Sequence, residues 1–361
     1  MTHPALIGLL CLQGLCGVAL LFLLACAMLK QSLAARRRAA AITLGPAMRE
    51  AITTYLGGNS NLAELRRMAA ESAEEVEESL LGFQARLGGN DRERLGELAI
   101  ELGFVQEWCE AAESHDLEKR RRGFSRIAAL AQSEAVRRMA GDLPERGLKD
   151  SDTKVRVEAA RALLESDERR RLEQAFQAAL GFSPLAQLEI ASLMRRHALT
   201  LCESAIPDVL RKGCGRELLI TLRLLSSWEC ALPLPDLGDL SEHPDPEIRC
   251  ETMRLLALLP PTPQNRRALL NGLTGSDLEV SLAAVAALDR LKMRTAMPQL
   301  TSCLRRKSEP LARAAAAVLA TMGLDGAKAL EGQLPNPDPI ASGAAREALE
   351  RRSSLPAEAW A

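Results

Sequence analysis

At 361 residues with a formal net charge of −1, the chain has room for two or three ordinary domains or one long repeat array, and no overall electrostatic bias toward nucleic acid. Aromatics are only 3% of residues; strands favour aromatic and β-branched side chains, so this composition argues against a sheet-based fold and for helices. The nine cysteines are dispersed without a C-x-x-C pair, which excludes an evident disulfide framework and reads as reduced, buried small hydrophobes.

In chain order, the first element is an uncharged run of 25 residues from Ala5 to Leu29. About 20 apolar residues at 1.5 Å rise span a bilayer core, so this run predicts a single transmembrane helix within residues 1–30. Lys30, Arg36, Arg37 and Arg38 follow it, and no lysine or arginine precedes it. The positive-inside rule then places the N-terminus outside an inner or plasma membrane and everything after Lys30 in the cytoplasm, with these four cations near anionic headgroups. Cleavage at Ala25-Cys26-Ala27, or lipidation of Cys26 in the lipobox-like Leu23-Leu24-Ala25-Cys26, are the other readings. Both need a basic stretch ahead of the apolar core, and here the order is reversed.

Residues 31–46 form a basic, Ala-rich linker. Residues 47–113 predict a short helical juxtamembrane segment. Its helices run from Met48 to Leu56, stopped by Gly57-Gly58, from Leu62 to Ala70, and from a Ser72/Glu75 capping box to Leu87. A second cap, Asn90 with Glu93, opens a helix to Leu102, and Phe104 to Ala112 follows with Trp108. Between Ser60 and Glu113 there are 13 acidic and 5 basic residues, and the run Glu74, Glu75, Glu77, Glu78 reads as a solvated helix face or as an acidic surface for a basic partner.

From residue 114 to 353 the chain repeats. With Asp152 as an N-cap, equivalent positions fall at Ser183, Cys214, Asp245, Asp277, Glu309 and Asp338, spaced by 31, 31, 31, 32, 32 and 29 residues. Such a period means stacked helix pairs that share one core. Proline follows the cap at Pro184, Pro246, Pro310 and Pro339, in the first helical turn where a missing N–H is harmless. Outer helices precede the caps, as at Arg169 to Leu180, Ile206 to Lys212, Gln264 to Leu273 and Ala296 to Leu304. A looser unit starts near Asp116, and residues 354–361 are a C-terminal tail.

The pattern Asp-x-x-Val-Arg-x-x-Ala-Ala-x-x-Leu from Asp152 to Leu163 resembles the inner helix of a HEAT repeat. That resemblance implies an all-α, HEAT-like α-solenoid over roughly Leu117 to Arg351. It also implies a ladder of cap acids and arginines along the concave side: Asp152 with Arg156, Asp245 with Arg249, Glu309 with Arg313. Ser281 and Ser342 take the arginine's place after Asp277 and Asp338, so the ladder is expected to break there. Across its length the chain also resembles bacterial membrane-anchored HEAT-repeat proteins, some of them associated with membrane glycosyltransferases that make surface polysaccharide.

No residue set announces a reaction. The four histidines share no motif, and the sequence holds no H-E-x-x-H, phosphate-binding G-x-x-x-x-G-K-[ST], nucleophile elbow or G-x-G-x-x-G. Cys214 between two glycines and beside Arg211, Lys212 and Arg216 reads first as a loop cysteine, and Ser241 to Asp245 as a turn rather than a metal site. From Leu117 to Arg171 the count turns to 15 basic and 10 acidic residues, mostly read as solvated outer-helix arginines. The expectation is therefore a non-enzymatic scaffold without metal or cofactor. It would bind a protein partner at the membrane, such as a glycosyltransferase or another cell-envelope assembly, with Arg156, Arg249 and Arg313 lining the surface. A HEAT-like lyase of the kind that attaches bilins, and a nucleic-acid-binding solenoid, are the alternatives.

Overall fold

The computed structural model describes residues 45–354, apart from 60, 85, 230 and 231. The apolar run 5–29, the basic residues Lys30, Arg36, Arg37 and Arg38, and the tail lie outside the described residues. Among the described residues there is no strand, and no helix is long and apolar enough to cross a membrane. The chain divides into two compact units between Leu143 and Pro144.

In the first unit, a helix over 45–56 is followed by Leu62–Glu71, Ala73–Gln84, Asn90–Glu101, Phe104–Ala112, Leu117–Leu130 and Glu134–Ala140. The two expected caps both act differently from their sequence reading. Ser72 Oγ donates to the Glu75 carboxylate instead of receiving its backbone N–H. Asn90 lies inside its helix, capped by Gly89 at φ 53°, while Glu93 reaches Glu134 N at 2.7 Å and Ala135 N at 2.9 Å. Glu93 therefore satisfies the orphan donors of a helix 41 residues away, which only tertiary packing brings close.

The acidic run is not wholly a solvated face. Glu77 is 5% exposed and accepts from Trp108 Nε1 at 2.6 Å and Arg122 Nη2 at 2.8 Å, with Arg126 Nε at 3.2 Å. This one carboxylate joins three helices, Ala73–Gln84, Phe104–Ala112 and Leu117–Leu130. Glu77 holds Arg122's pKa above its ordinary value through that hydrogen bond. Gly123 lets the last two helices touch: a Cβ there would lie 2.5 Å from Ala112 N and 2.6 Å from Trp108 O.

The second unit contains the repeat. Seven inner helices stand in sequence: Thr153–Leu164, Pro184–Arg196, Gly215–Ser227, Pro246–Leu256, Leu278–Arg290, Glu309–Thr321 and Pro339–Ser354. Outer helices include Arg169–Leu180, Ile206–Lys212, Pro263–Thr274, Met297–Leu304 and Gly323–Glu331. One hydrophobic cluster runs through them from Val157 to Ala348, as expected when neighbouring helix pairs bury each other's apolar faces. Cys202, Cys250 and Cys303 sit buried within it, and burial raises the thiol pKa of Cys250 and Cys303.

The expected cap at Glu309 moves by one residue. Ser308 is the N-cap and Glu309 the first helical residue, so the cap spacing becomes 31 before and 30 after. With Ser308 in place the third residue after the cap is Val155, Ala186, Ile248, Val280, Leu311 and Ala341 in six units, all buried; in the unit capped by Cys214 that place holds the exposed Glu217, and Leu218 beside it is the buried one. The eleventh becomes Leu319 instead of the Ala320 of the earlier register, which restores a large side chain in that layer.

The row of inner helices has one discontinuity. Every neighbouring pair packs closely except Pro184–Arg196 and Gly215–Ser227; there Gly215–Ser227 instead touches the outer helix Arg169–Leu180. Five residues after the cap, Val157 and Cys250 are buried, and Cys250 Sγ contacts Glu279 O of the next inner helix. The equivalent Leu188 is 69% exposed, because no next inner helix closes over it.

Two changes test the Glu77 junction. Glu77→Gln keeps an acceptor for Trp108 and loses the ion pairs, at a cost of about 1–3 kcal/mol. Removing both Arg122 and Arg126 strands a buried carboxylate and costs about 3–5 kcal/mol. Urea unfolding followed by tryptophan fluorescence reads the order; equal midpoints for the two variants would show that Glu77 does not depend on the arginines.

Candidate protein-binding surface

The residues expected to line a surface divide into two kinds. Arg156 turns back and donates to Asp150 O at 2.8 Å, Ser151 O at 3.1 Å and Thr153 Oγ1 at 3.0 Å. Arg249 does the same to His243 O at 2.5 Å and Pro244 O at 2.9 Å. In both, an arginine four residues after the cap binds the two carbonyls just before it. The first unit repeats the device: Arg120 binds the carbonyls of Ser114 and His115, and Arg137 those of Ala131 and Gln132. A loop between two helices presents carbonyls with no helical donor, and a guanidinium with several N–H groups can satisfy two at once. These arginines latch the turn of their own repeat.

The expected ladder is correspondingly redrawn. Asp152 caps its own helix through Lys154 N and Val155 N, both at 3.1 Å, while Arg156 is turned to the carbonyls before the cap. Arg249 does bridge repeats, but its partner is Asp277, the cap of the following unit, where a break was expected. Ser281, in the arginine place of that unit, is buried and donates to Gly272 O at 3.2 Å. Arg306 from the next unit supplies the missing guanidinium, reaching Leu273 O at 2.6 Å, Gly275 O and Ser281 Oγ.

Arg313 differs because the true cap is Ser308. It stands five residues after the cap, not four, and cannot latch the turn. Its side chain is 60% exposed and pairs with Glu309 at 2.7 Å and Glu347 at 3.3 Å. Of the three expected lining arginines it alone faces outward.

The outward row of the inner helices lies nine residues after each cap: Arg161, Ser192, Arg223, Arg254, Ala286, Ala317 and Glu347. Arg223 pairs with Glu247 at 3.1 Å and Glu251 at 3.4 Å, and Glu251 with Arg254 at 2.7 Å. Past this charged centre the row turns small. A cavity of about 230 Å³ opens between Glu309–Thr321 and Pro339–Ser354, floored by Ala317, Ala320, Ala344 and Ala348 and rimmed by Arg313, Glu347 and Arg351. The sequence pattern contains these alanines, but it cannot tell a buried small residue from one that leaves a hollow.

The other singled-out groups are structural. His243 Nδ1 accepts from Asp245 N at 3.0 Å, so the imidazole closes the turn. Arg211 and Lys212 beside the exposed Cys214 turn to Asp208, at 3.1 Å and 3.9 Å. Among the described residues no group of three or more His, Cys, Asp or Glu is arranged to hold a metal ion.

Residues 234–320, across the charged centre and into the small-residue end, match the family model for HEAT repeats. The chain carries HEAT repeats. The chain as a whole matches no curated protein. Among solved structures, an engineered protein shares 18% identity over 82% of this chain and 90% of its own, with a TM-score of 0.35. Human deoxyhypusine hydroxylase, solved in complex with glycerol, shares 14% identity over 87% of this chain and 100% of its own, with a TM-score of 0.31. Kap121p shares 12% identity over 86% of this chain and 46% of its own, with a TM-score of 0.38. Superpositions this loose transfer no activity or partner to the HEAT repeats described here.

The two kinds of arginine are separable by mutation. Arg249→Ala strands turn carbonyls and the Asp277 carboxylate and costs about 1–3 kcal/mol, whereas Arg313→Ala removes exposed pairs worth about 0–1 kcal/mol. Chemical denaturation of the two variants reads the difference; equal losses would mean that Arg249 is no latch. A pH effect is also expected at Glu158, whose pKa burial raises, against the opposing pull of Arg161. The raised value means that its contribution to stability is full below the ordinary carboxyl range and is lost as pH rises through the native pKa. Glu158→Gln therefore stabilises the fold at pH 7 relative to pH 4, measured as the change in melting temperature between the two.

Proposed function

We propose that this protein is a non-catalytic scaffold that holds a protein partner on the inner face of its HEAT repeats. Residues 5–29 would anchor it in an inner or plasma membrane, with the repeats on the cytoplasmic side. The observation that carries this reading is the outward row of the inner helices, which passes from the paired charges of Arg223, Glu251 and Arg254 to the alanine-floored hollow beside Arg313 and Arg351. A charged stretch sets orientation and excludes wrong partners, while a small-residue hollow accepts an apolar side chain. The uncharged run followed by Lys30, Arg36, Arg37 and Arg38 supports the anchor. Confinement at the membrane raises the effective concentration of other membrane proteins, so a modest intrinsic affinity suffices. A membrane glycosyltransferase or another cell-envelope assembly is the partner class that fits an anchored HEAT-repeat scaffold.

Filling the hollow tests this reading. Ala317→Trp combined with Arg351→Glu, in the full-length protein, changes exposed positions and leaves the fold intact. Co-purification from gently solubilised membranes should then lose at least about tenfold of a specific partner, equivalent to about 1.4 kcal/mol. Recovery of the same proteins in the same yield, with an unchanged melting temperature, would remove the inner face from the proposal.

A further inference from the structure

The discontinuity in the inner row leaves one helix face uncovered. On Pro184–Arg196, Leu185 is 70% exposed and Leu188 is 69% exposed, and Leu199 on the next turn of chain is 62% exposed. These are three of the largest exposures of any apolar side chain among the described residues. Where another repeat has an apolar side chain at the place of Leu188 it is buried or half-buried, as at Val157, Leu219, Cys250 and Leu282, so here the fold presents an apolar face without its usual cover.

The pattern along this face says what it fits. Ser192, small and exposed, stands at its centre. Glu189 lies three residues before it and Arg195 three after; Leu185 lies seven before and Leu199 seven after. Glu189 and Arg195 are both exposed and form no ion pair or hydrogen bond among the described residues. Arg196, by contrast, is already held by Glu165 at 2.7 Å. The arrangement is self-complementary. Turn a second copy of this helix antiparallel about Ser192, and Glu189 meets the partner's Arg195, Leu188 meets the aliphatic stem of the partner's Arg196, and each relation occurs twice; Leu185 and Leu199, the latter on the separate helix Ala198–Glu203, flank the crossing. A two-fold interface requires this, that if residue i contacts residue j then j contacts i. A small residue at the crossing point lets the two helices approach closely.

We propose that the chain forms a two-fold homodimer in which the Pro184–Arg196 helices of two copies pack antiparallel across Ser192, each closing the gap in the other's inner row. The face is narrow against a standard interface of about 1,600 Å², so the dimer is a reversible one. Its charge pattern favours one register: shifting by one turn leaves Glu189 and Arg195 without each other.

Cross-linking of the full-length chain in the cells that express it provides the test. Ser192→Cys places two thiols together at the crossing point, and mild oxidation should give a covalent dimer well above the parent chain, which keeps its native cysteines. Gly343→Cys, at an exposed position of another inner helix, should give none above parent. In the Ser192→Cys background, Glu189→Arg should lower the dimer yield about fivefold, as expected when exposed opposite charges become like charges, and adding Arg195→Glu should restore it. Glu189 and Arg195 are surface residues, so melting temperatures should not change. Three outcomes would overturn the proposal: a dimer yield no higher than that of Gly343→Cys, single and double charge variants that behave alike, or an adduct whose mass shows a foreign protein on the face.

Discussion

Each turn from an outer to an inner helix exposes carbonyls that no helix can satisfy, and the architecture depends on how they are met. Four times in the described chain the answer is the same, an arginine four residues into the helix folded back over the two carbonyls before the cap. An aspartate or serine at the cap satisfies the donors of the same turn. The two side chains bracket one turn from both sides and fix the angle at which the chain re-enters the stack. In the repeat that has Ser281 in the arginine's place another unit supplies one: Arg306 reaches back to the turn before Asp277. The requirement is on the turn, and the residue that meets it is free to come from elsewhere.

This division of labour shapes the candidate surface. An arginine held by loop carbonyls has its donors occupied and presents little charge outward, whereas Arg313, displaced by one position, keeps its charge on the surface and rims the alanine hollow. The residues that hold the repeat and those free to meet a partner therefore lie one helical position apart. The first unit shows the same economy in another form. Glu77 looks like one more member of an acidic run, yet it is the buried acceptor for a tryptophan and an arginine.

Much of the fold was legible in the chain. Period, inner-helix caps and prolines in the first helical turn follow from helical geometry and from the need of each helix pair to share its apolar face. The candidate site was legible less well. Arg156 and Arg249 carried the right signature for the wrong role, because a pattern records which residues recur and not which atoms they reach. The one-residue error at Glu309 hid the difference in Arg313, since a proline in the second helical position looks much like one in the first.

The sequence by itself determined that the chain is helical, that it repeats about every 31 residues, and, to within one residue, where each inner helix begins, because these depend on local capping and on apolar spacing that any stretch carries within itself. Only the tertiary structure decided which helices touch. Leu188 has apolar counterparts in most repeats, and nothing in its own stretch tells that the next inner helix stands away from it. Glu93 capping a helix 41 residues on, Arg249 bridging to Asp277 and Arg306 completing another repeat's turn were likewise settled by distance in space. The physical reason is common to them all: a local pattern encodes the energy of one turn of chain, while contact between repeats depends on the packing of every element that lies between.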